Sequence, residues 1–276
     1  MREILLNDLL SLSEQDLNRT KIKFNHYNGE TDPLQEFLLN PEIVNNQWLF
    51  WRKNRRNFST GQIAICLVRM TGDTWLLTTI KEVTSELGIQ KGINYAGVEK
   101  DEYKKYFGRV VVKYKKTDKV GCRNYHTVGK ELIVQQILPN VYNGEEFPGY
   151  DNVVLSYKQL DIINRMGKRD WIAALESQKA VYLITDIKTG KLYVGSATAK
   201  YGMLLSRWRN YLKDGHGGNK LLKELVNEKG FNYVKENFQY SILENYNSIV
   251  DDSVIVMRES HWKNILHSKS VGYNSN

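Results

Sequence analysis

The stretch Ala180–Ala197, AVYLITDIKTGKLYVGSA, constrains the fold more than any other part of the chain. Two runs rich in β-branched and aromatic residues flank Lys188-Thr189-Gly190, so the segment reads as strand, turn, strand. GMLLSRWRNYLKD then spaces its apolar residues as a helix does, GHGGN breaks it, and NKLLKELVNEKG is a second helix that Gly230 can end at positive φ. FQYSILENY reads as a third strand and DDSVIVMRESHWKNILHS as a third helix. The order β-β-α-α-β-α predicts a three-stranded antiparallel sheet with flanking helices.

Upstream the texture changes. Pro33, Pro41, Pro139 and Pro148 all lie in the first 150 residues, and the last two bracket the turn-rich PNVYNGEEFPGYDN, where a domain boundary is expected. GQIAICLVRM puts Ile63, Ile65 and Leu67 on one face, and TWLLTTIKEV and GRVVVKYKK read as further strands. Leu5, Leu9 and Leu12 suggest a short opening helix. Between Val153 and Lys179 the pattern is helical, with Ser156 capping YKQLDIINRM and Asp170 at the N-cap of DWIAALESQ. The expectation is an α+β protein in three parts: a β-rich, barrel-like domain over 1–150, a helical connector over 151–177 and a second domain over 178–276.

Charge narrows the partners. The chain carries 39 Lys+Arg against 31 Asp+Glu, a formal +8, and between Lys179 and Asn276 the count is 14 against 9, so +5 of the excess lies there. Such a balance favours a polyanion, because phosphates neutralised by Lys or Arg release counterions. Cys66 and Cys122 form no C-x-x-C pair, which excludes a cysteine-built zinc site. Neither a signal-peptide core nor a membrane-length apolar run is present, so a cytoplasmic setting with no membrane partner is expected. The absence of G-x-G-x-x-G and P-loop motifs leaves a small-molecule enzyme without support.

Several residues could carry chemistry. Tyr182 and Tyr193 are eleven positions apart across the hairpin, a spacing that puts both phenols on one face if the loop is even; each could equally be an ordinary strand tyrosine. Arg207 flanks the stripe Leu204, Trp208 and Tyr211, where its planar fork could grip a phosphate or merely reach solvent; Arg209 faces the other way, as a solvated residue or a contact to the DNA backbone. Glu259 falls within the buried row Ile255, Trp262 and Leu266 of the last helix. A carboxylate there needs a partner, either a nearby Lys or Arg or a hard cation. His216 sits among glycines in DGHGG, and Asn274 closes the chain in Gly272-Tyr273-Asn274.

Taken together, Ala180-Val181-Tyr182, Tyr193-Val194-Gly195, Arg207-Trp208, His216, Arg258-Glu259 before Trp262, and Gly272-Tyr273-Asn274 resemble, in order and spacing, the GIY-YIG nuclease family, closest to its phage homing and restriction-type members. The resemblance covers roughly 178–276, with Ala180 replacing the first glycine and valine replacing isoleucine in both tripeptides. It implies water-driven hydrolysis of a DNA phosphodiester by the set Tyr182, Tyr193, Arg207, His216, Glu259 and Asn274. Glu259 would ligate one Mg²⁺ or Mn²⁺, Arg207 would hold a non-bridging oxygen, and Tyr182 would act as general base supported by Tyr193. His216 could take that proton instead. Tyr211 occupies a position where relatives carry histidine, so its part is open. Asn274 would position a phosphate or order Glu259.

A nuclease also has to choose its target. Trp48 and Trp51, followed by Arg52, Arg55 and Arg56, interleave aromatic and basic side chains as a DNA contact would. The β-rich first part faintly resembles PUA/EVE-like readers of modified bases, which implies a restriction enzyme aimed at double-stranded DNA carrying modified cytosine. A homing, repair or branched-structure nuclease, and a catalytically dead binding protein, are the alternatives. One active site cuts one strand, so a double-strand break needs a homodimer on the DNA or two visits.

Overall fold

A strand run that is apolar at every position must be covered on both faces, and IAICLV within GQIAICLVRM is such a run. In this computed structural model, which describes residues 3–200 and 202–275, Ile63, Ile65 and Leu67 enter one core cluster and Ala64, Cys66 and Val68 another. The chain forms two compact units that part between Tyr142 and Asn143.

The strands of the first unit are β1 (Thr20–Asn25), β2 (Trp51–Arg52), β3 (Ile63–Arg69), β4 (Thr74–Glu86), β5 (Gly92–Ile93), β6 (Tyr95–Glu99), β7 (Val110–Lys113), β8 (Cys122–Asn124) and β9 (Ile133–Ile137). Seven of them make one sheet in the order β8-β1-β3-β4-β7-β9, with β6 beside β4, while β2 pairs with β5. Helices α1 (Leu6–Leu10) and α2 (Glu14–Asn18) precede β1, and α1 buries Leu6 and Leu10 rather than Leu5 and Leu9. β1 and β3 run parallel, which requires a crossover. That crossover holds α3 (Pro33–Leu39), capped by Asp32, and a π-helical turn over Ile43–Trp48; together they lay Phe37, Val44 and Leu49 on one face. α4 (Tyr125–Val128) joins α1 on the other. The expected barrel does not form. Among the described residues no ladder joins β8 to β9, and helices cover both faces of what is an open sheet. Register shifts interrupt its ladders at Cys66/Leu67, Val83/Ser85 and Val111/Val112.

The second unit contains β10 (Val154–Ser156), α5 (Tyr157–Met166), α6 (Arg169–Glu176), β11 (Lys179–Asp186), β12 (Leu192–Ala197), α7 (Leu204–Asp214), α8 (Lys220–Lys229), α9 (Phe231–Asn237), β13 (Phe238–Tyr246) and α10 (Asp252–Ile265). Its antiparallel sheet has four strands, in the order β10-β13-β11-β12, not three. The extra strand pairs Leu155 with Tyr240 and is too short to show a period in the sequence. Ser156 caps α5 as expected, reciprocated by Gln159. The α6 N-cap is Lys168; Asp170 instead sits in the first turn and accepts the Phe147 amide at 2.8 Å. Tyr157, Leu160, Ile163, Trp171 and Leu175 of α5 and α6 belong to this unit's core rather than to a free connector. No helix of the described residues is long and apolar enough to cross a membrane.

Candidate active site

Antiparallel register decides which hairpin side chains meet. Tyr182 lies opposite Gly195 and Ile184 opposite Tyr193, so both tyrosines share a face, with ring centroids 6.5 Å apart. Gly195 is the seat of the Tyr182 ring: a Cβ there would stand 2.5 Å from both the ring carbon bearing the hydroxyl and the hydroxyl itself. Gly195→Ala should therefore push a buried ring off its rotamer. We expect a destabilisation of about 1–3 kcal/mol, the usual cost of overpacking, visible as a lower urea midpoint.

α7 packs Leu204, Trp208 and Tyr211 onto this face and leaves Arg207 half-buried beside them. Tyr211 is a full member of the cluster. Its hydroxyl lies 2.9 Å from that of Tyr182, its ring is 6.1 Å from Tyr193, and the Arg207 guanidinium carbon stands 5.9 Å from its ring centre. Among the described residues the Arg207 Nε is buried with no hydrogen-bond partner, an orphan donor inside the cluster. Burial opposes its charge, yet beside the Tyr182 and Tyr211 hydroxyls its pKa stays above the usual arginine value, so the group is cationic. Burial pushes the Tyr182 and Tyr211 phenols well above the usual tyrosine value. Tyr182 is thus a hydrogen-bonding hydroxyl at neutral pH, which counts against its expected role as general base. Tyr193 keeps 8% of its surface exposed.

The glycine-rich loop is pinned beside the same tyrosines. Asp214 accepts the amides of His216 and Gly217 at 2.9 and 2.7 Å, and a Cβ on Gly217 would strike the Tyr211 ring. His216 Nδ1 accepts the Gly218 amide at 3.0 Å, so its neutral ring carries the proton on Nε2.

Glu259 occupies the opposite face. There α10 covers Val181 and Val194 with Ile255, Trp262 and Leu266. The Glu259 carboxylate accepts from the Ser196 hydroxyl at 2.6 Å and pairs with Lys263, one turn on, at 2.9 Å. Among the described residues no hydrogen bond or ion pair links it to Arg207 or the tyrosines. What they share is β12, the edge strand, which carries Tyr193 and Gly195 on one face and Ser196 on the other. The two groups flank one sheet edge.

That edge is ordered by the tail. Tyr273 N donates to Leu192 O at 2.8 Å, and Asn274 grips Val194 twice, its Oδ1 accepting from N at 2.9 Å and its Nδ2 donating to O at 2.8 Å. Asn274 therefore satisfies the free backbone of an edge strand, and no hydrogen bond joins it to Glu259 among the described residues. Gly272 makes this docking possible, since a Cβ there would collide with Leu192 O and Ser268 O.

Glu244 on β13 ties down the helix that carries Glu259. It accepts from Arg258 Nε with both oxygens, from Trp262 Nε1 at 3.0 Å, and from the Tyr246 hydroxyl. The Arg258 hydrogen bonds lower the Glu244 pKa to about 2 from 4.5. A depressed carboxylate stabilises the fold above its unfolded pKa and loses that contribution as pH falls through the folded value. The stability gap between the parent chain and Glu244→Gln should be full above about 4.5 and gone by about 2, read from urea midpoints at several pH values.

The residues expected to contact DNA fall in the first unit, except Arg209, whose Nε is taken by Asn164 at 2.8 Å on the outside of α7. Trp48 packs on the core beside buried Phe50. Arg52 is buried and held by Ile89 O at 2.8 Å and by Glu86, so it is a structural residue. Arg56 also pairs with Glu86. Trp51 and Arg55 are exposed. Sequence reasoning missed Ser196, Lys263 and Glu244; only Lys263 had a readable signal, the four-residue offset from Glu259.

An orphan guanidinium donor and phenol hydroxyls on one side of a strand, with a hydroxyl-backed carboxylate on the other, form a donor set suited to an anionic ester. A comparison with solved structures finds the catalytic domain of the homing endonuclease I-TevI, with 30% identity over 35% of this chain and 96% of the other and a TM-score of 0.28. A mutant of that domain, described as belonging to an intron endonuclease, matches over 36% of this chain and 94% of its own at 30% identity, with a TM-score of 0.29. No family model matches the chain, and no curated protein does.

Proposed function

We propose that the second unit is the catalytic part of a metal-dependent DNA endonuclease of the GIY-YIG type. The observation that carries this reading is the orphan Arg207 donor, held among Tyr182, Tyr193 and Tyr211 across the edge strand from Glu259. Hydrolysis of a phosphodiester needs charge placed where the phosphorane forms, an oriented water and relief for the leaving oxygen. Arg207 supplies the first, donating to a non-bridging oxygen from a position whose desolvation cost is already met. Tyr193, the more exposed phenol, orients the water, and Tyr182 and Tyr211 hold Tyr193 and Arg207 in place. With its proton on Nε2, His216 is a donor to phosphate or leaving group rather than an acceptor.

Glu259 and Ser196 offer oxygen ligands but no cage, and among the described residues no three His, Cys, Asp or Glu cluster to hold a metal. That donor set fits Mg²⁺ or Mn²⁺, which complete their shells with water and substrate phosphate. Such an ion would supply Lewis-acid charge at the scissile phosphate.

In this reading the first unit selects the target, and a restriction role against modified DNA is one use of such a pair. The open sheet removes the barrel argument for a PUA/EVE-like reader, so modification dependence rests on experiment alone. The test is incubation of the full chain with Mg²⁺ or Mn²⁺ and plasmids with or without modified cytosine, alongside branched duplexes. Metal-dependent nicking supports the endonuclease, and the preferred substrate distinguishes restriction from homing, repair or branch cutting. Binding without any cutting would leave the inactive binding protein.

A further inference from the structure

Side chains alternate along a strand, and β2 uses that alternation to divide labour. Arg52 turns inward to Ile89 O and Glu86, so Trp51 turns outward and keeps 42% of its surface exposed. Trp51 lines an open hollow of about 950 Å³ in the first unit. Lys53, Arg55 and Arg56 of the loop after β2 line it as well. Lys21 and Lys23 enter from β1, and Lys119 and Arg123 from the segment around β8. Seven cations and no Asp or Glu make up its charged lining.

Two of these cations brace the wall: Arg56 is paired with Glu86 and Arg123 with Asp118. Lys21 and Lys23 are tied to backbone oxygens, of Asn57 at 2.7 Å and of Trp51 at 3.2 Å. Burial lowers the Lys23 pKa, as expected of an ammonium drawn out of water. Lys53, Arg55 and Lys119 have no acidic partner among the described residues. Cations gathered in a concave wall repel one another, and a polyanion relieves that repulsion. An exposed tryptophan at the same wall adds a stacking face, which a continuous duplex cannot use because its bases already stack on each other.

We propose that this hollow binds an unpaired stretch of DNA strand, its phosphates on the lysines and arginines and one base stacked on Trp51. The proposal rests on the endonuclease reading and deepens it, because it assigns the first unit a preference for sites where the duplex is opened.

The experiment measures fluorescence-anisotropy Kd values for the full chain in EDTA, where metal-dependent cutting is off. The probes are a continuous duplex, the same duplex with a short unpaired loop, and the single strand. Trp51→Ala should weaken the looped and single-stranded probes on the order of tenfold and the continuous duplex less than twofold, with Trp51→Phe retaining most of the affinity. Arg55→Ala and Lys119→Ala should each lower the salt slope on the single strand by roughly 0.7. Equal losses on all three probes, or none, would overturn the proposal. The endonuclease reading fails separately: a chain that shows these binding effects but never nicks DNA with Mg²⁺ or Mn²⁺ keeps the hollow and loses the nuclease. A chain that nicks but is indifferent to Trp51 does the reverse.

Discussion

Glu259→Gln is expected to abolish divalent-cation-dependent DNA cleavage, with the rate falling on the order of a thousandfold or more. Glutamine keeps the shape and can still accept the Ser196 hydrogen bond, so the substitution removes charge rather than packing. A hard cation contributes several kcal/mol of transition-state stabilisation, and about 1.4 kcal/mol corresponds to each tenfold in rate. Lys263, whose side chain is only 13% exposed, loses its charge partner in the variant but keeps an amide oxygen to donate to, so the fold should survive. Affinity for DNA in EDTA should be unchanged or slightly higher, because a negative charge has left the edge that DNA would approach in the proposed reading. Single-turnover cleavage of a supercoiled plasmid, paired with a binding titration, separates these effects. Retained cleavage would remove Glu259 from the reaction.

How much of this site was readable depended on whether the signal was local. The period of two and an eleven-residue spacing were enough to put Tyr182 and Tyr193 on one face, because register across a tight hairpin is decided within the hairpin. The same holds for Ile63, Ile65 and Leu67, for the Ser156 cap and for the span of β13. Residues whose meaning comes from a distant partner were not readable. Asn274 looked like a ligand-facing amide, yet both its polar atoms belong to Val194, 80 positions away. Arg52 looked like one more basic DNA contact, yet strand alternation and Glu86 take it inside. Glu259 is open in the sequence between a metal and an ion pair; the pair with Lys263 exists, and a metal ion would have to compete with it. The first unit's topology turned on the parallel pairing of β1 with β3, a long-range choice that no short pattern records.

Arg207 offers the complementary experiment, one in which rate and stability should move apart. Among the described residues its Nε is buried without a partner, so the free protein carries the desolvation cost of that donor with no hydrogen bond from it in return. Arg207→Ala removes that cost together with the packing of the stem and the contact with the Tyr211 ring, so the opposing effects should leave the urea midpoint little changed. The cleavage rate should fall by about 10²–10³-fold, the loss expected when one donor aimed at developing charge is deleted. Arg207→Lys tests whether charge alone suffices. Lysine restores a cation but not the planar fork, so it should recover only a small part of the rate if two donors grip the phosphate together. A residue that merely supports the fold would show the opposite pattern, with the midpoint dropping along with the rate and lysine rescuing both. Full rescue by lysine with an unchanged midpoint would instead reduce Arg207 to a general electrostatic contact, and the phosphate clamp would have to be sought elsewhere on the β12 edge.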